Sequence, residues 1–150
     1  MDDKEIDKVA YKILTLFFLI IIGLLIKQKY DYTELKQYEY YTVGKVEKVY
    51  HGKARSVDFS FVINGIKFKR SSSMFMDNIS QTGTQYFVIV NKYDSNSALI
   101  LGFCPYDKTK HIVPKEGLYK IPDTLLQKKV DKAFEEYFNS TIVSLLPPYQ

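Results

Sequence analysis

Residues 13–26 read ILTLFFLIIIGLLI. Twelve of these fourteen are Ile, Leu or Phe, spread all round rather than along one stripe. A helix without a polar face belongs in lipid or in a deep core. At 1.5 Å per residue the stretch reaches about 21 Å, and extended back to Val9 it reaches about 27 Å, against a hydrocarbon layer of ~30 Å. That extension includes Lys12, whose ammonium can snorkel from the end of a span. Tyr11, Tyr30 and Tyr32 stand where an interfacial aromatic belt would stand, and Lys27 and Lys29 follow the apolar run at once. At about −0.5 kcal/mol each, the apolar residues sum to roughly −6 kcal/mol, against about 2 returned by Thr15, Gly23 and Lys12. Insertion wins. Two other identities compete. A buried core helix would carry a polar stripe. A cleaved signal peptide would have a basic leader and an A-x-A-like site, whereas the leader here is MDDKEID and no such site follows Ile26. The expectation is an uncleaved signal-anchor over 13–29, with a polar tail at 1–12 and a juxtamembrane stalk at 30–40. The flanking lysines are balanced, Lys4, Lys8 and Lys12 before the span and Lys27, Lys29 and Lys36 after it. They do not orient it, and the extracytoplasmic side is the favoured address for the remainder.

A chain of 150 residues has room for an anchor and one small domain. The net charge of +4 is carried mainly by lysine, with Arg55 and Arg70 the only arginines. That excess is too small to argue for nucleic acid by itself and suits a surface near anionic lipid. The single cysteine, Cys104, excludes an internal disulfide and a cysteine-based zinc site, and reads as a small buried hydrophobe.

The domain is expected over 41–104. Residues 42–50, TVGKVEKVY, read as a strand, with Gly44 marking a bulge or a sharp bend. Val57, Phe59, Phe61 and Ile63 then alternate with Ser56, Asp58, Ser60 and Val62. Asn64-Gly65 follows, the preferred pair for a two-residue type I′ turn. That loop length pairs Ile63 with Ile66 and Phe61 with Phe68 on the core face, and leaves Lys67 and Lys69 outside. Residues 72–83, SSMFMDNISQTG, form a polar connector. TQYFVIVN at 84–91 and ALILGF at 98–103 are the fourth and fifth strands, the fifth apolar enough to be central or covered on both sides. The segment 105–150 begins irregularly, punctuated by Pro105, Pro114, Gly117 and Pro122. Asp123 is a plausible N-cap for an amphipathic helix whose apolar face is Leu126, Val130, Ala133, Phe134 and Tyr137. The fold class expected is α+β: an N-terminal transmembrane helix, a five-stranded antiparallel barrel or curled sheet, OB-like or SH3-like, and a C-terminal amphipathic helix.

No P-loop, Rossmann glycine pattern, HExxH, CxxC or GxSxG occurs. His51 and His111 are the only histidines, and each falls in an expected loop. No catalytic, cofactor or metal residue is nominated. Lys45, Lys48, Lys53, Arg55, Lys67 and Lys69 cluster on the first three strands with Tyr50, the composition of a basic aromatic face that binds single strands on small barrels. The plainer reading is a solvated face whose lysines protect an edge. Met74, Phe75 and Met76 in the polar connector are either core plugs or an adaptable contact surface. Asn78-Ile79-Ser80 and Asn139-Ser140-Thr141 fit the glycosylation pattern, which is short and common by chance. Pro147-Pro148-Tyr149 lacks the spacer of a PPxY ligand.

Over 42–101 the order of signals resembles the short bacterial single-pass membrane proteins of unknown function that carry a small antiparallel β domain. The residues that carry the likeness are Asn64, Gly65, Gly83, Tyr93, Asp94 and Asn96; Ser95 and Ser97 stand where prolines are common in that group. The resemblance implies architecture and no activity. Together these readings point to a non-enzymatic interaction or envelope-assembly module whose partners are the membrane and another membrane or envelope protein. The alternative is a polyanion, nucleic-acid, small-ligand or lipid-surface binder.

Overall fold

The computed structural model describes residues 3–76, 78–140, 143 and 145. The first element is a single helix, α1 (Asp3–Gln37), of 35 residues. From Asp3 to Gln37 the expected tail, span and stalk are thus one continuous helix. Its apolar half stands exposed, with Phe17 at 62% of full exposure. Its last turns are built into the domain, where Leu35 is only 1% exposed. By length and composition α1 is sufficient to cross a membrane.

Five strands follow: β1 (Glu39–Tyr50), β2 (Ser56–Ile63), β3 (Ile66–Ser72), β4 (Gln85–Asn91) and β5 (Ala98–Pro105). All neighbours are antiparallel in the order β3-β2-β1-β4-β5. The hairpin register is the expected one, Phe61 opposite Phe68 and Ile63 opposite Ile66. Asn64 and Gly65 both take positive φ, 51° and 79°, as a type I′ turn requires. The core face, however, stops short of the tip. Ile66, at the start of the edge strand β3, is 60% exposed.

β1 is the hub. Its first half pairs with β4 and its second half with β2, and Gly44 sits where both ladders meet, opposite Phe61 on one side and Tyr86 on the other. A Cβ at Gly44 would collide with the Val88 side chain, so the glycine permits a close approach of strands. The irregularity itself lies later, between Val46 and Lys48.

The barrel alternative is not what forms. The ladder ends at β3 on one side and at β5 on the other, leaving an open, curled sheet. The reason is steric. The connector after β3 occupies the free edge of β5, where the Gly102 N–H donates to the Phe75 carbonyl at 2.7 Å. Closure would require β3 in that place.

The sheet is buried on both faces around β4 and β5. Phe87, Ile89, Leu99 and Leu101 face the helices and join Leu35, Tyr41, Cys104, Ile121, Val130 and Phe134. Tyr86, Val88, Val90 and Ile100 face the concave side with Val46, Val57, Phe59, Phe61, Met76 and Ile79. This two-sided cover explains the unbroken apolar runs of both strands. The helix α2 (Thr124–Asn139) closes the first cluster. Asp123 caps it, accepting from the N–H groups of Leu125 and Leu126 at 2.8 and 3.2 Å, and Val130 and Phe134 face inward as the periodicity predicts.

Candidate interaction surfaces

The most elaborate polar site is the joint between α1, β1 and α2. Tyr41 is fully buried on β1. Its hydroxyl donates to Glu39 at 2.9 Å and accepts from Gln127 Nε2 at 3.1 Å. Gln127 also donates to Asp131 at 3.2 Å and accepts from the Ile121 N–H at 2.9 Å. Lys36 closes the circuit, donating to Glu39 and to Asp131. Burial drives the Tyr41 phenol far above its ordinary value, so it stays protonated and remains a donor. Asp131 is pushed up by burial, but the hydrogen bond and charge of Lys36 outweigh this and hold it below its ordinary value. Among the described residues no buried side-chain nitrogen or oxygen lacks a partner. A satisfied network of this kind fixes geometry.

The candidate basic residues do not form one uniform face. Lys45, Lys48, Lys67 and Lys69 are exposed on the first three strands, and Lys53 and Arg55 lie in the β1–β2 loop. Two carboxylates are interleaved with them. Glu47 accepts from Ser60 and lies 3.6 Å from Lys67; that hydrogen bond first, then Lys67 and Lys45, hold it below its ordinary value. Asp58 accepts from Ser71 and from Tyr50, which lower it, with a smaller effect from Lys48. Arg55 is turned back onto the Ile79 carbonyl. Lys45 and Lys67, joined by Lys115, also border an open groove of about 430 Å³ floored by Val43, Phe61 and Val113.

Of the connector residues, Met76 is buried in the concave cluster, while Met74 and Phe75 pack half-buried against the helical cluster. Phe75 holds a positive φ of 56°, a strained conformation for a bulky residue. Its ring lies 5.7 Å from that of Phe103 and 5.2 Å from that of Phe134. It is therefore a wedge between sheet and helix. Its outer side still borders a cleft of about 410 Å³, shared with Phe103, Lys129, Lys132, Ala133 and Glu136. The Asn78 glycosylation candidate is exposed. The second triplet and Pro147-Pro148-Tyr149 involve positions outside the described residues.

No protein-family model, curated protein or solved structure matches this chain.

One surface escaped the sequence entirely. Tyr38 meets Tyr93 edge-on at 5.2 Å, and Tyr40 meets Tyr119 at 5.0 Å. Lys92 stands beside them, donating to the Tyr119 hydroxyl at 3.0 Å and lying 4.9 Å above that ring. The hydrogen bond to Tyr119 raises its pKa. These residues are far apart in sequence, so only the topology could unite them. His111, in one of the expected loops, packs on Phe87 at 5.8 Å. Among the described residues no group of three or more His, Cys, Asp or Glu is placed to hold a metal.

Proposed function

We propose that this protein is a membrane-anchored, non-enzymatic interaction module. One observation carries the reading. The same helix that exposes Leu14, Phe17, Phe18 and Leu24 buries Leu35 in the domain core. Apolar side chains exposed over that length are stable only against lipid or another apolar surface, and the buried end transmits the anchorage rigidly. α1 is then a single span, 13–29 its lipid-facing part, with the β domain favoured on the extracytoplasmic side. A reporter fused after Gln150 reads that side directly.

The partner surface we favour is the cleft beside Phe75 and Phe103. Aromatic floor and charged rim, here Lys129, Lys132 and Glu136, match the anatomy of protein–protein contact regions. The partner is another membrane or envelope protein. A photo-crosslinking residue at Lys132 should yield a discrete adduct in native membranes, while the same group at Lys69 should not. Equal adducts at both positions, or none, refute the assignment.

A second reading has its own observation. The groove between Lys45, Lys67 and Lys115 would suit a small anionic amphiphile. Titration with such a probe should then depend steeply on salt. Interleaving of Glu47 and Asp58 argues against an extended polyanion.

A further inference from the structure

Where α1 and α2 touch, they run antiparallel. Lys36 meets Asp131 at 2.7 Å, Tyr32 meets Tyr137 at 5.1 Å between rings, and Lys29 Nζ donates to the Val143 carbonyl at 3.0 Å. As the chain advances from Asp131 to Val143, it steps back along α1 from Lys36 to Lys29. Lys29 lies three residues beyond Ile26, the end of the apolar run, which is only about 4.5 Å of helix rise. Val143 is buried there, yet Leu145, two residues on, is 81% exposed. The sequence at 141–149, TIVSLLPPY, carries no charge. Val143 and the exposed Leu145 are thus placed near the level where the apolar surface of α1 ends.

We propose that Leu145, two residues past the buried Val143, is a second lipid contact, at the headgroup–acyl boundary of the bilayer beside α1. The proposal rests on the reading of α1 as a span. Its occupant is a phospholipid surface, and the geometry favours this over a protein. The contact point is continuous with the anchor through Lys29, and exposed apolar residues at that depth partition into the boundary layer. With α1 as the first attachment and Leu145 as the second, the domain is held at a fixed tilt rather than swivelling on the helix.

The test uses the full chain with Leu145→Cys in a Cys104→Ala background. An environment-sensitive fluorophore is attached, and the protein is reconstituted into phosphatidylcholine–phosphatidylglycerol vesicles containing a shallow doxyl-labelled lipid. A second chain carries the label at Ile112→Cys, 88% exposed in the irregular segment before α2. The expected result is blue-shifted emission at position 145 and several-fold stronger quenching than at 112. Carbonate extraction is run on both. If the chain resists carbonate and position 145 is quenched no more than 112, the lipid contact is wrong while the anchor stands. If carbonate extracts the chain, both readings fall together. A blue shift that occurs in native membranes and not in the lipid vesicles overturns the proposal in favour of a protein occupant.

Discussion

Lys36 Nζ on α1 and Asp131 Oδ1 on α2 lie 2.7 Å apart, although 95 residues separate them. That pair, with Glu39 as its third member, clamps the emerging helix to the last one. Asp131 is held below the ordinary carboxylate value despite its partial burial. A depressed folded pKa contributes stability above the unfolded value, lost as pH falls through the folded one. The window therefore opens below about pH 4. Asp131→Asn should flatten the acid limb of stability there, and cost about 0.5–1 kcal/mol at neutral pH because the carboxylate is half exposed. Urea melts of the detergent-solubilised chain from pH 2.5 to 7 check it; an unchanged acid limb would refute the clamp.

The hairpin core gives a sharper contrast. Phe61 is 2% exposed and stacks between Phe59 and Phe68 at 6.0 and 5.4 Å. Phe61→Ala should cost about 3–5 kcal/mol through the cavity it leaves. Lys67→Ala, opposite Val62 on the outer face, should stay within about 0.5 kcal/mol. Similar losses from both would contradict the register.

The hairpin was legible because its signals are local: alternation fixes the face, and Asn64-Gly65 fixes the register. The α2 cap and apolar face were legible for the same reason. The failure to close was not, since it depends on the connector reaching β5 through Phe75 and Gly102, a contact between segments of no shared periodicity. Met74, Phe75 and Met76 read as plugs or as contact surface; Met76 is buried, while Met74 and Phe75 are half-buried against the helical cluster. The Tyr38, Tyr40, Tyr93, Tyr119 and Lys92 cluster had no signal at all in linear order. A scattered set of tyrosines becomes a surface only after the strands have been paired.

Gly117 should behave unlike Gly65. Both hold positive φ, 101° and 79°. A Cβ at Gly65 would enter open space, whereas one at Gly117 would strike the Tyr40 ring and lie 2.8 Å from the Tyr41 carbonyl. Gly65→Ala should cost about 1–2 kcal/mol for backbone strain alone. Gly117→Ala should add a further 1–3, roughly, for overpacking, and should break the reciprocal 2.7 Å bonds between Tyr41 and Leu118. Amide exchange at Leu118 reports the second effect independently of the melt.

Cys104 is a built-in probe of unfolding. Burial pushes its thiol up to about 12, so at pH 8 the folded chain should be inert to a maleimide. The sign of the linkage follows from a raised acid pKa. The unfolded thiol ionises first, so stability is intact below about pH 8.5 and declines as pH rises beyond it. Labelling in increasing urea should track the melt, and Cys104→Ala should remove the decline between about pH 8.5 and 10, above which the buried Tyr41 adds its own. Rapid labelling of the folded chain would show that the helical cluster opens locally.

Phe75 decides what the connector is for. Its ring wedges between Phe103 and Phe134, and its carbonyl caps the free edge of β5. Phe75→Ser should therefore destabilise the domain by about 3 kcal/mol or more, as large-to-small core changes do. Loss of crosslinking in that variant would say nothing about contact. Lys132→Glu separates the two roles, because Lys132 borders the same cleft and is an exposed helix-surface residue whose substitution should move stability by less than about 0.5 kcal/mol. If the cleft is a partner surface, Lys132→Glu should abolish the adduct formed by a crosslinker at neighbouring Glu136 while the melt stays in place. If the adduct persists with the rim charge reversed, the wedge is structural only and the partner must bind elsewhere, with the Tyr38–Tyr93 surface the next position to carry the crosslinker.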